Sequence, residues 1–174
     1  MVGLPDNAIK ESNFRIAAAL QNNGYKIPGK KLIINMSPAD MRKEGAAYDL
    51  PLAIGILTAS NQIKGANIKD YIIMGELSLD GSVQSIKGAL PIAIKALEDS
   101  FKGFILPKAN AKEAAIVEGL KVYGVDHISD VIYFFNHKDA LEQTIEDTRA
   151  EFQKELEHPE FDFSDVKGQE SVKR

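Results

Sequence analysis

The sequence contains no cysteine. Disulfides and thiolate metal sites are therefore excluded, and the composition fits a reducing, cytoplasmic setting. No apolar run is long enough to span a bilayer, and the start of the chain has no signal-peptide pattern, so no membrane association is expected. There is no internal repeat and no low-complexity tract. No G-x-x-x-x-G-K-[ST] phosphate loop occurs anywhere in the 174 residues. The three histidines, His127, His137 and His158, do not stand with carboxylates at zinc-ligand spacing, so no metal site is expected.

The length suits one domain, or one domain with an appendage. At 44% hydrophobic the chain can build an ordinary core. The net charge of −4 is unevenly spread. Residues Lys138 to Asp165 hold ten acids and three bases, a segment charge of −7, which leaves +3 for the remainder. Within that remainder Lys26, Lys30, Lys31, Arg42 and Lys43 lie close in sequence, with Asp40 as the one acid among them. Phosphate contact is driven by charge and needs no motif, so these five are the candidate nucleic-acid-binding residues. The competing reading is an ordinary solvated face.

The stretch around which the chain is organised is Lys43 to Ser60. A glycine-bearing turn, Gly45-Ala46-Ala47, leads to Asp49, and an apolar run follows from Leu50 to Ala59. Asp49 is expected to cap a helix, with Pro51 tolerated in its first turn. Apolar residues on every side predict a buried core helix. Before it, Pro5 to Asn22 reads as a helix ended by Asn23-Gly24, and Lys31 to Met36 as a strand covered on both faces. After it, Tyr71 to Leu79 and Ser82 to Ile86 read as strands of a hairpin turning at Asp80-Gly81. A helix through Ile92 to Leu97, a strand at Gly103 to Leu106, a helix at Asn110 to Glu118 and a strand at Lys121 to Val125 follow. Ser129 is expected to cap a short helix, Val131 to Phe135. Strands alternating with helices give an α/β class. Lys138 to Leu156 reads as a charged helix bridging two bodies, with a boundary near Pro159. The expected organisation is thus 1–137 as the main domain, 138–158 as a bridging helix and 159–174 as the lead-in to another module.

Several motifs are similar to those of Lon proteases. Gly75-Glu76-Leu77-Ser78-Leu79-Asp80-Gly81-Ser82-Val83 resembles the Lon hairpin G-E-(I/V)-(T/S)-L-x-G-x-V. Phe104-Ile105-Leu106-Pro107-Lys108-Ala109-Asn110 resembles the "LIPxxN" strand and turn. The resemblance implies a Lon protease-like domain, a ribosomal-protein-type βαβ fold with a buried core helix, a β-hairpin and a left-handed crossover. Lon enzymes place a nucleophilic serine in the turn before the core helix and an activating lysine in the turn after the hairpin. Here those two positions hold Ala47 and Leu90. The resemblance therefore implies a vestigial dyad and no catalytic residue, because alanine has no oxygen and leucine accepts no proton. The two side chains are expected to approach each other across a shallow cleft. Glu76 lies beside that cleft without an assigned role.

Longer matches lead to a narrower resemblance. Leu4 to Ser12, Asn35-Met36-Ser37-Pro38-Ala39-Asp40 and Lys43 to Pro51 resemble segments of the magnesium-chelatase-like AAA+ family, the ComM/YifB group. Phe163 to Glu170 is similar to the lead-in to the ATPase module of that family. The resemblance implies a non-proteolytic Lon-like N-terminal domain of a homo-hexameric ATPase and helicase, acting in assembly and DNA engagement during branch migration, recombination or transformation. It also implies a chain shortened at both ends. ATP and magnesium belong to the absent ATPase module, near which Val166, Gly168 and Gln169 would lie, and no cofactor is expected for this stretch itself. Two other classes remain: an ATP-dependent serine protease domain using another nucleophile, and a purely structural spacer of an AAA+ ring.

Overall fold

The computed structural model describes residues 2–3, 6–29, 32–38, 40–41, 43–65, 67–137 and 141–146. The first helix, α1 (Asn7–Asn22), starts two residues later than the sequence suggests, because Asp6 caps it by accepting the Ile9 N–H at 2.8 Å. Its inward face carries Ile9, Ser12, Ile16, Ala19 and Leu20, the 3–4 spacing of a one-sided helix. The Ser12 hydroxyl is satisfied locally by the Ile9 carbonyl at 2.6 Å.

The core helix, α2 (Asp49–Ala59), buries Leu50, Ala53, Ile54, Ile56 and Leu57, as expected of so apolar a segment. One stripe is not covered: Gly55 and Ala59 are exposed. A 3-10 turn (Ile68–Asp70) leads into a parallel sheet of β1 (Tyr71–Ile73), β4 (Gly103–Pro107) and β5 (Lys121–Val125), in the order β1-β4-β5. Between β1 and β4 the chain forms the hairpin β2 (Glu76–Leu77) and β3 (Val83–Gln84), then α3 (Ala89–Glu98). Helix α4 (Lys108–Ala115) connects β4 to β5, and α5 (Ile128–Asn136) follows β5. Among the described residues no helix is long and apolar enough to cross a membrane.

The sheet separates two cores. On one face Ile73, Ile105, Tyr123 and Val125 pack with α1, α2 and α5. On the other Phe104, Leu106 and Val122 pack with the alanines of α3 and α4. Alternate residues of β4 and β5 thus serve opposite faces, which is why β4 is buried at every position. Gly103 and Gly124 leave no room for a side chain: an added Cβ would lie 2.8 Å from the Lys121 carbonyl oxygen or from Ala111 Cβ.

Five sequence expectations need correction. Asp49 is the first residue of α2 and not its cap; Tyr48 precedes the helix without a side-chain cap bond. The segment after Lys31 is not a doubly covered strand. Among residues 32–36 the pairing is a single parallel bridge, Asn35 with Val2, and Ile33 is 71% exposed because no second sheet face meets it. The hairpin turn spans three residues between paired Ser78 and Ser82, and only Gly81, at φ +98°, takes the left-handed conformation. His127, not Ser129, caps α5: its Nδ1 accepts the Ser129 N–H, and Asp130 accepts the His127 N–H at 3.0 Å. Residues 141–146 are not helical; Thr144 donates to the Val122 carbonyl at 2.8 Å, satisfying the outer edge of β5, and Leu141 packs on the core. Residues 138–140 and 147–158 of the expected bridging helix, and all of 159–174, lie outside the described residues.

Candidate functional site: the turn before the core helix

The turn 43–48 is fastened to α1 by Asp6. One carboxylate oxygen caps α1 and the other accepts the Gly45 N–H at 3.0 Å, while the Asp6 N–H donates to the Lys43 carbonyl at 3.1 Å. Gly45 takes φ +84°, a conformation that costs a glycine little. Lys43 is buried, and its ammonium donates to the Pro38 and Met41 carbonyls. It therefore holds the loop before the turn and does not belong to an outward cationic set.

Ala47 and the start of α2 are tied to the loop after β1. The Gly75 N–H donates to the Ala47 carbonyl at 2.8 Å, and the Leu50 N–H donates to the Gly75 carbonyl at 2.9 Å. A side chain at 75 has no space, since a Cβ would meet Val83 at 2.8 Å and Leu50 at 3.1 Å.

Beneath this turn lies an ion pair that the sequence does not announce. Asp49 is fully buried; its Oδ2 accepts from Arg15 Nε at 2.7 Å and its Oδ1 from Arg15 Nη2 at 3.1 Å. The Leu77 N–H adds a longer contact at 3.3 Å, and Arg15 Nη2 also reaches the Ala8 carbonyl at 3.1 Å. The hydrogen bond to Asp49 holds the Arg15 guanidinium above its ordinary value; burial opposes this, and the charges of Asp49, Glu76 and Glu11 support it. Glu76 thus lies in the field of Arg15. The one available sign in the sequence is position: Arg15 follows Ser12 by three residues and precedes Ala19 by four, both buried.

Leu90 sits half-buried in the first turn of α3, after Gly88 at φ +78°. Its N–H donates to Glu113 Oε1 at 3.0 Å. The preceding turn is pinned by buried Asn110, whose amide accepts the Ile86 N–H at 2.9 Å and donates to the Ile86 carbonyl at 3.0 Å. The asparagine of the "LIPxxN" stretch therefore splices α4 to the end of the hairpin. Ala47 and Leu90 present only aliphatic side chains, so neither can attack a carbonyl or take a proton.

Of the other sequence-selected residues, Lys26 is exposed, at the loop after α1. Lys30, Lys31, Arg42, Val166, Gly168 and Gln169 lie outside the described residues. His127 is the cap of α5, with Nε2 3.2 Å from the Asp80 carbonyl oxygen, and His137 stacks on Tyr133. Among the described residues no group of three or more histidines and carboxylates could hold a metal ion.

The family model for subunit ChlI of Mg-chelatase matches residues 1–110. The chain belongs to this family. Within the ChlI family its relatives are of the ComM/YifB kind. YifB of Escherichia coli (strain K12) is 40% identical over 174 residues, 100% of this chain and 33% of that protein. Competence protein ComM of Haemophilus influenzae is 36% identical over 174 residues, 100% of this chain and 34% of ComM. A shorter likeness joins this ChlI-family chain to the archaeal Lon protease of Thermococcus kodakarensis, 31% identical over 93 residues, 51% of this chain and 14% of the protease. The chain spans about a third of the length of YifB and ComM.

Proposed function

We propose that this chain is the non-proteolytic, Lon-like N-terminal region of a hexameric magnesium-chelatase-like AAA+ ATPase of the ComM type, serving assembly and DNA engagement in branch migration, recombination or transformation. The observation that carries the reading is the match to competence protein ComM across all 174 residues, combined with aliphatic side chains at Ala47 and Leu90. ATP and magnesium are used by the ATPase module that follows in such proteins, and the hexamer forms through that module. The likeness to an archaeal Lon protease supports common ancestry of the fold, while the two aliphatic residues oppose peptide hydrolysis.

The test is DNA binding by the chain across roughly 50 to 200 mM salt, where each lost phosphate contact flattens the salt dependence. A DNA-engaging domain holds an oligonucleotide at the low end and releases it at the high end. A spacer holds none at either, and that result overturns the DNA half of the reading. In the full-length protein with ATP and magnesium, junction-DNA processing without casein hydrolysis is the expected outcome; hydrolysis abolished by a substitution in residues 1–146 would restore the protease reading.

A further inference from the structure

Two adjoining cavities, of about 640 and 700 Å³, share Asn61 and Gln62 and together form an open trough. It runs from the loop at Lys26, across the C-terminal end of α2, to the C-terminal end of α5 at Asn136 and His137. Among the described residues none that lines it is an aspartate or glutamate, although the chain carries 25 of them. It does carry Lys26, Lys64 and His137.

Both lysines are placed by side-chain amides of the trough itself. Gln62 accepts the Lys26 N–H at 2.9 Å and donates to the Lys26 carbonyl at 2.7 Å. Asn136 accepts the Lys64 N–H at 2.9 Å. The two backbones are therefore held, and both lysines are exposed. Neither is in an ion pair among the described residues. At one end the lining His137 ring stacks, with centroids 4.4 Å apart and planes 29° apart, on Tyr133, which lies just outside the lining and is 56% exposed.

These features differ in what they favour. The lysines favour anions. The floor receives the C-terminal ends of two helices, which carry partial negative charge and disfavour phosphate there. It suits flat groups, for which the aromatic stack provides a face, while the Gln62 amide is engaged by Lys26 and Ser60. A ligand with a charged backbone and exposed planar bases meets both demands, and a paired duplex, whose bases are turned inward, does not.

We propose that this trough takes single-stranded nucleic acid, with phosphates along Lys26 and Lys64 and a base on the Tyr133–His137 stack. The proposal rests on the DNA-engagement reading above and gives it a site and a substrate form.

The experiment is fluorescence anisotropy of a labelled oligothymidine with the 174-residue chain, over a salt series. Lys26→Glu combined with Lys64→Glu is expected to weaken binding at least about tenfold and to reduce the salt slope by about 1.4, two single-strand phosphate contacts. Tyr133→Ala is expected to weaken binding by about tenfold with the slope unchanged, the signature of lost stacking. Lys87→Glu with Lys121→Glu, an equal charge change elsewhere, is the control, and circular dichroism establishes that each variant is folded. Equal weakening by the control pair, tighter binding of the matching duplex, or no binding by the parent chain overturns the trough. Binding by the parent chain that survives the Lys26 and Lys64 substitutions overturns the trough alone and leaves DNA engagement through another surface standing.

Discussion

Arg15 and Asp49 meet through two contacts, Nε to Oδ2 at 2.7 Å and Nη2 to Oδ1 at 3.1 Å, and so join the middle of α1 to the first residue of α2. The exposure of the pair is unequal: the carboxylate is fully buried and the arginine side chain is 23% exposed. Removing one partner is therefore expected to cost unequal amounts. Arg15→Met leaves a buried, unpaired carboxylate, with an expected loss of about 3 kcal/mol in urea unfolding. Asp49→Asn leaves a cation that can reach water and should cost less. Arg15→Met with Asp49→Leu should recover most of the loss, since replacing a buried pair by apolar groups is often close to neutral. A loss below about 1 kcal/mol for Arg15→Met would show that the pair does not hold the helices together.

Two glycines should respond in opposite directions to alanine. At Gly75 the added Cβ meets Val83 at 2.8 Å and Leu50 at 3.1 Å, so overpacking is expected to cost about 1–3 kcal/mol. At Gly55, exposed within α2, nothing lies within 4 Å, and alanine should stabilise by about 0.5–1 kcal/mol through helix propensity. Chemical denaturation of the two variants side by side checks both signs.

The hairpin turn gives a pH prediction. The Ser82 N–H and hydroxyl both donate to Asp80 Oδ1, at 2.9 and 2.8 Å, and hold its carboxyl below the ordinary value of 3.8. A depressed carboxylate stabilises the fold above its unfolded-state value, and that contribution disappears as pH falls through the folded-state value. The contribution of this contact is therefore expected to fade as pH falls through a midpoint below the ordinary aspartate value. A carboxyl-carbon NMR titration reads this directly; an Asp80 midpoint at or above 3.8 would contradict it.

Catalysis should not return with one residue. On the Lon-like reading proposed above, Ala47→Ser supplies a hydroxyl but no base, because the position proposed for the base holds Leu90, and peptide hydrolysis is expected to stay at background. Leu90→Lys alone is expected to be equally silent. Activity from either single variant, surviving repurification, would mean that another residue acts as the base or nucleophile.

The elements legible in the sequence are those set by local pattern. The apolar run after Asp49, the one-sided spacing of α1, and the short apolar strands at Gly103 and Lys121 all form where expected. What escaped depends on partners distant in the chain. Asp49 looks like a cap from its neighbours, yet Arg15, 34 residues earlier, takes its carboxylate. The segment from Leu32 to Met36 is apolar enough for a buried strand, but hydrophobicity alone does not supply a second sheet face, and Ile33 remains outside. Lys43 counts as a surface charge in any composition, yet two carbonyls turn it inward.

The position of β4 sets where the molecule keeps time. It lies between β1 and β5, and its side chains divide between the two cores. Its ladder amides bond in the plane of the sheet to β1 and β5, whose side chains also enter both cores, so they are expected to exchange only when a neighbouring strand detaches, and small openings of either helical layer should leave them unexchanged. Deuterium uptake at Phe104 to Leu106 thus runs on the clock of whole-domain unfolding, while α3 and α4 on one side and α1 and α2 on the other can each loosen on faster clocks of their own.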